Sequence, residues 1–404
     1  MNKCIRNGLI VNPESGFMGK GSVWIEGDVI VCIETEVGVA GVMPKWADSP
    51  DAIIDAENKW ITPALIDLHV HLREPGFEYK EDIASGCAAA AKGGFGTICC
   101  MPNTDPAIDC GEAVVYVKNR AKQIGGVTVL PVGAITKGQQ GKKLAAIEEM
   151  AEQGICAISE DGKSVMNSKL MRDGMLKAAQ LNLPVFSHAE DETLASAAIS
   201  EELIVARDIL LAKETGCRLH FCHISTKGSI ELIKKAKADG LSVTAETAPH
   251  YFTFDASHVK GDGNKKMNPP LRSPEDVQAV IEALKDGTID AIATDHAPHS
   301  REEKTIDFDK ALNGVIGLET SFAVSYTMLV KTGILTPLQL IDKMSFRPAS
   351  ILGIKAGVIG VGKPAELTLI DVSTEYEIKK EGFVSKSINS PFVGMRVFGR
   401  GERI

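Results

Sequence analysis

His69 and His71 stand two residues apart in the run Asp67-Leu68-His69-Val70-His71, so on an extended strand both imidazoles point to one side and Val70 to the other. Other apolar runs also close on polar residues: Ser159-Glu160-Asp161-Gly162, Ser187-His188-Ala189-Glu190, Cys222-His223-Ile224-Ser225 and Thr294-Asp295-His296. Brought to a common axis, His69, His71, His188, His223 and Asp295 offer four imidazoles and a carboxylate, a ligand set that zinc accepts readily. A lone histidine at a strand end is more often a hydrogen-bonded structural residue. Here, however, six of the nine histidines (His69, His71, His188, His223, His296 and His299) lie in or just after such ends, which points to metal-assisted chemistry. Two metals about 3.5–4 Å apart repel each other and need a bridging anion besides solvent. Asp161 is placed to supply it, and equally to cap a helix or turn before Gly162. His220 faces no such cluster and reads as core or surface, His258 reads as a loop residue, and His250 as a support to the site or part of a substrate pocket.

Chemistry at strand ends requires strands. Between Lys59 and His299 eight short apolar runs alternate with helix-like segments: Ile61 to His71, Gly96 to Asn103, Val127 to Ala134, Gly154 to Asp161, Leu183 to His188, Arg218 to His223, Leu241 to Glu246 and Thr288 to Asp295. Their continuous apolar character suits parallel strands packed on both faces. Lys80 to Lys92, Lys142 to Gln153, Lys169 to Asn182 and Pro274 to Lys285 carry helical patterns, and several such segments stop near a glycine. Eight such units close a TIM-type (β/α)₈ barrel of the α/β class, whose chemistry sits where strands meet the following loops. Strand-like stretches flank it, at Ile5 to Val11, Gly21 to Glu26, Val29 to Glu34, Ala365 to Val372 and Phe392 to Phe398. Neither end has much core of its own, so residues 1–58 and 346–404 are expected to pair into one small discontinuous β domain beside the barrel at 59–345. The charged stretch Ser300 to Ala311 reads as a solvated loop in preference to a moving cover over the substrate.

Composition narrows the partner. With 44 basic and 53 acidic residues the formal net charge is −9, and the basic residues are scattered, so there is no electrostatic footprint for nucleic acid or an anionic membrane. No apolar run reaches the roughly 20 residues of a membrane helix, and the start, Met1-Asn2-Lys3-Cys4, has no signal-peptide architecture. The nine cysteines include no CxxC pair and read as small buried thiols of a reducing compartment. A cytoplasmic protein acting on a small molecule is expected.

At these residues the sequence resembles the amidohydrolase superfamily and, within it, the longer dihydroorotases often called class I. The likeness covers nearly the whole chain. It rests on Asp67-Leu68-His69-Val70-His71-Leu72-Arg73-Glu74-Pro75-Gly76, Lys80-Glu81-Asp82-Ile83, Gly93-Gly94-Phe95 and Met101-Pro102-Asn103-Thr104. It continues through Asn268-Pro269-Pro270-Leu271-Arg272, Thr294-Asp295-His296-Ala297-Pro298-His299 and Gly317-Leu318-Glu319-Thr320. The resemblance implies zinc, two ions per chain or one, with His69, His71 and Asp295 on the first, His188 and His223 on the second, and Asp161 bridging both. Related hydantoinases, allantoinases and dihydropyrimidinases bridge with a carboxylated lysine on strand four, whereas Gly154 to Asp161 contains no lysine. The resemblance also implies that Arg73, Asn103 and His299 engage the substrate's α-carboxylate and that Asn268 contacts its ring. An arginine fork does match a carboxylate. Three positions depart from the family pattern: Glu160 replaces a second aspartate, Tyr251 a second histidine after His250, and Leu312-Asn313 a Pro-Phe pair.

The implied reaction is the reversible hydrolysis of L-dihydroorotate to N-carbamoyl-L-aspartate, a step of de novo pyrimidine biosynthesis. In it Asp295 takes the proton of the attacking water and delivers it to the leaving ring nitrogen. The rivals are another cyclic amidohydrolase, hydantoinase-like or allantoinase-like, and a non-catalytic dihydroorotase-like subunit that organises a transcarbamoylase. An aspartate transcarbamoylase partner and a homo-oligomer both fit the resemblance.

Overall fold

Each of the eight apolar runs holds a strand of one parallel sheet, with Phe95 and Thr247 falling one residue outside the expected runs. In chain order these strands are Leu65–Val70, Phe95–Cys100, Thr128–Ala134, Ala157–Ser159, Pro184–Ser187, Arg218–Phe221, Val243–Thr247 and Ala291–Ile292, each paired with the next. The ring closes where the His71 N–H donates to the His296 carbonyl at 2.8 Å and the Thr294 N–H to Asp67 Oδ1 at 3.1 Å. This computed structural model describes residues 1–194, 197–305 and 307–404. It bears out the expected (β/α)₈ barrel with a separate sheet built from the chain ends.

The helices between the strands start where the sequence supplies caps. Asp82 and Ser85 form a reciprocal capping box on Ile83–Lys92, Asn167 caps Ser168–Gln180, and Thr226 caps Lys227–Ala238. Ser273 does the same for Pro274–Asp286, whose first turn holds a proline and whose end is Gly287 at φ +84°, a left-handed conformation that favours glycine. Their apolar faces, Ile233 among them, pack on the strands around Ile98, Ile158 and Val185. At the amino-terminal end of the strands the helix Arg347–Leu352 seals the barrel, and Lys343 Nζ donates to the Ile289 carbonyl at 2.7 Å.

The second sheet runs in the order Arg396–Arg403, Leu367–Glu377, Trp60–Pro63, Asn2–Asn12, Phe17–Glu26, Val29–Thr35 and Gly38–Gly41, with Ala52–Asp55 also paired to Asn2–Asn12. The run Ile61 to His71 is therefore two strands and not one, because Trp60–Pro63 belongs to this sheet and the barrel begins at Leu65. Both pieces are fully buried, so hydropathy alone does not show where one sheet hands over to the other. The strand expected over Phe392 to Phe398 starts later, at Arg396, after a buried turn at Phe392. Ser300 to Ala311 is not simply a solvated loop: it opens with a short helix, Arg301–Thr305, on which Lys304 is buried. Within that stretch Ile306 lies outside the described residues. Among the described residues no helix is long and apolar enough to cross a membrane.

Candidate active site

Asp67, His69 and His71 share one side of the first strand, and Asp67 ties it to the eighth by accepting the N–H groups of His69 and Thr294, each at 3.1 Å. Asp161 follows the fourth strand, His188 the fifth, His223 the sixth and Asp295 the eighth. His223 and Asp295 take left-handed backbone angles, φ +37° and +48°, as does Arg73 at +62°. Such strain at non-glycine residues gathers at functional sites.

The six side chains converge. Asp161 Oδ1 lies 3.2 Å from His69 Nε2, 3.4 Å from His188 Nδ1 and 3.6 Å from His223 Nε2, while Oδ2 lies 3.4 Å from His71 Nε2. Asp295 Oδ1 lies 3.3 Å from His71 Nε2 and 3.6 Å from His69 Nε2. Groups behind the imidazoles choose their tautomers. His69 Nδ1 faces Glu246 Oε1 at 3.1 Å, His71 Nδ1 faces Asn103 Oδ1 at 2.8 Å, and His188 Nε2 faces Glu190 Oε2 at 3.1 Å. Each acceptor draws the ring proton to itself and leaves the opposite nitrogen bare toward the centre. His69 Nε2 and Asp161 Oδ1 are both buried, both acceptors, and both without a hydrogen-bond partner among the described residues. His188 Nδ1 and His223 Nε2 meet at 3.0 Å, and the other nitrogen of His223, Nδ1, is buried without a partner among the described residues. Lone pairs aimed at one another need a cation between them, so the donor set fits a metal. Burial opposes charge here, yet the imidazoles of His69, His188 and His223 hold the Asp161 carboxyl well below its ordinary range.

Arg73, Asn103, Asn268 and His299 line the same cavity of about 200 Å³ as His71, Asp161, His188, His223 and Asp295. Arg73 Nε donates to the Pro298 carbonyl at 3.2 Å, and burial pulls the guanidinium down to about 10, still charged at neutral pH. Asn268 donates from Nδ2 to Glu190 Oε2 at 2.8 Å. His299 donates from Nε2 to the Asn313 carbonyl at 2.7 Å, and burial with the nearby Arg73 charge lowers it to about 3, so it is neutral.

The departures from the family pattern have local accounts. Glu160 turns away from the centre to accept the Thr136 N–H at 2.9 Å. The Tyr251 hydroxyl donates to the Pro269 carbonyl at 2.6 Å and so holds the turn that carries Asn268. Asn313 supplies the acceptor for His299. His220, expected to face no cluster, is buried and bonds Glu246 Oε2 at 3.2 Å, one link from His69. Glu246 and Glu190 were not among the expected site residues. Glu190 carried a readable signal, since it lies two residues from His188 on the same extended segment.

A family model described as "Dihydro-orotase-like" matches residues 58–229. The chain is 45% identical to a dihydroorotase of Geobacter metallireducens, with 99% of this chain and 96% of that one covered. It is 44% identical to one of Caldicellulosiruptor saccharolyticus, over 96% and 94%. Among solved structures it is similar to the L-hydantoinase (dihydropyrimidinase) of Arthrobacter aurescens, with TM-score 0.88 and 26% identity over 98% and 93% of the two chains. A D-hydantoinase gives TM-score 0.86 and 25% identity over 100% and 95%.

Proposed function

The chain belongs to the dihydroorotase family, and from that premise we infer that it interconverts L-dihydroorotate and N-carbamoyl-L-aspartate at the mouth of its barrel. His69, His71 and Asp295 would hold one zinc ion, His188 and His223 a second, with the Asp161 carboxylate between them. When bound, zinc supplies Lewis acidity that activates the attacking water and polarises the amide carbonyl. Asp295 accepts the proton of that water and returns it to the ring nitrogen as the amide bond breaks; in ring closure it removes that proton. Arg73 pairs with the substrate carboxylate. Asn103, whose Oδ1 is engaged by His71, keeps its amide N–H groups for the same carboxylate, beside His299. Asn268 meets the ring.

The observation that carries this reading is the placement of Arg73. It shares the cavity with five of the six candidate ligands, His71, Asp161, His188, His223 and Asp295, and among the described residues no carboxylate pairs with it at ion-pair distance. A hydantoinase reading shares the fold but leaves that cation without a purpose, and strand four lacks the lysine of those enzymes. The nine cysteines, all free thiols, suit a reducing compartment such as the cytoplasm. The test is turnover of dihydroorotate, hydantoin and allantoin by the purified protein, with metal content measured in parallel; hydrolysis of hydantoin alone would overturn the reading.

A further inference from the structure

The charged stretch after His299 carries a device that the reaction does not itself require. Lys304 is 4% exposed, and its Nζ donates to the carbonyls of Leu312 at 2.7 Å, Gly314 at 2.8 Å and Lys266 at 3.1 Å. Three acceptors around one nitrogen take up the three N–H bonds of an ammonium. Two of these carbonyls flank Asn313, whose own carbonyl holds His299. From the other side Asn389 donates from Nδ2 to the carbonyls of Gly314 and Ala297, both at 3.1 Å, and accepts the His299 N–H at 3.3 Å. Gly314 has no slack, with φ +130° and room for a Cβ only 2.7 Å from the Ala297 side chain. Ala297, His299, Asn313 and Gly314 all line the cavity.

Lys304 is buried with no carboxylate at ion-pair distance among the described residues, and burial pulls its ammonium down to about 7, so it is a poor source of stability. Its three acceptors nonetheless converge on one wall of the pocket. We propose that Lys304 is a positioning residue: with Asn389 it fixes the segment Leu312 to Gly314, holds His299 in its Nε2–H tautomer, and thereby sets how tightly substrate is bound. The proposal rests on the dihydroorotase reading for its kinetic consequence.

The test uses metal-loaded Lys304→Met and Asn389→Ser, with two readouts. One is steady-state turnover of dihydroorotate. The other is ring nitrogen–proton NMR of histidine-labelled protein without substrate, in which the His299 signal is assigned by its loss in His299→Gln. Both variants should raise KM by about tenfold or more with kcat within about threefold, since a wall that binds ground and transition states alike has been loosened. Metal content should not change, and the His299 ring should pass from one tautomer to a mixture. Lys304→Arg, which keeps the charge but cannot serve three carbonyls from one nitrogen, should move in the same direction. Lower melting temperatures with unchanged KM and tautomer would overturn the proposal and leave Lys304 a plain staple. If Lys304→Met does not fold, Lys304→Arg and Asn389→Ser decide by the same readouts. Failure of the wild type to turn over dihydroorotate would sink the functional reading alone, because the tautomer reports positioning without substrate.

Discussion

Glu246 Oε1 lies 3.1 Å from His69 Nδ1, and its other oxygen lies 3.2 Å from His220 Nε2, so one buried carboxylate is clamped between two imidazoles. The clamp fixes which His69 nitrogen faces Asp161 and Asp295. Carboxylates in this position orient a ligating histidine, and their loss typically costs about 10–100-fold in metal affinity. Glu246→Ala should therefore lose zinc to a competing chelator at correspondingly lower chelator concentration, and Glu246→Gln should lose less. Metal retention equal to wild type would mean that the clamp only fills space.

Asp161 faces both histidine pairs, with Oδ1 toward His188 and His223 and Oδ2 toward His71. Asp161→Ala should lower metal stoichiometry and turnover together, measured by metal analysis and dihydroorotate assay on one preparation. Full metal with full rate would remove Asp161 from the centre.

Arg73 is the specificity prediction. Removing one partner of a desolvated charge pair costs about 2–5 kcal/mol, and each ~1.4 kcal/mol is a decade in rate. Arg73→Ala should lose roughly two to three decades in kcat/KM for dihydroorotate while keeping its metal. An uncharged cyclic imide should lose far less. Equal losses would mean that Arg73 supports the site through Pro298 without reading a carboxylate.

Lys343, at the sealed end of the barrel, predicts a pH dependence of stability. Burial pulls it from the ordinary 10.5 down to about 8. Below the folded value both states carry the charge and the folded protein bears the full cost. Between the two values the unfolded chain binds a proton that the folded one has released, so this group's contribution rises with pH and is complete above the unfolded value. Urea midpoints should show a steeper upward slope against pH over that interval in wild type than in Lys343→Met. Parallel slopes would place the ammonium in a better solvated site than its burial implies.

Much of the barrel and of the converging side chains was legible because both are written in local periods. His69 and His71 need only the two-residue repeat of a strand, and Asp161, His188, His223 and Asp295 need only the rule that polar residues close apolar runs. Glu246 closes a run too, but its purpose depends on His220 of the adjacent sixth strand and on His69 of the first, which meets it only once the barrel closes. Lys304 was hidden for the opposite reason. In a run of charges its spacing is that of a solvated side chain, and only the fold of residues 312–314 gives its ammonium three carbonyls. The handover from Trp60–Pro63 to Leu65–Val70 left no mark because burial is continuous across it.

The segment that returns from the second sheet to the barrel mouth gives synthesis a direction. Ser385 and the Lys386 N–H bond Glu81, Ser387 bonds the Lys80 carbonyl, and Asn389 holds Ala297, His299 and Gly314. All six candidate ligands precede residue 296, so a growing chain on the ribosome holds these side chains well before it can finish the wall that faces substrate. This order predicts metal binding before turnover: release-arrested chains ending before Ser385 should bind zinc while hydrolysing nothing.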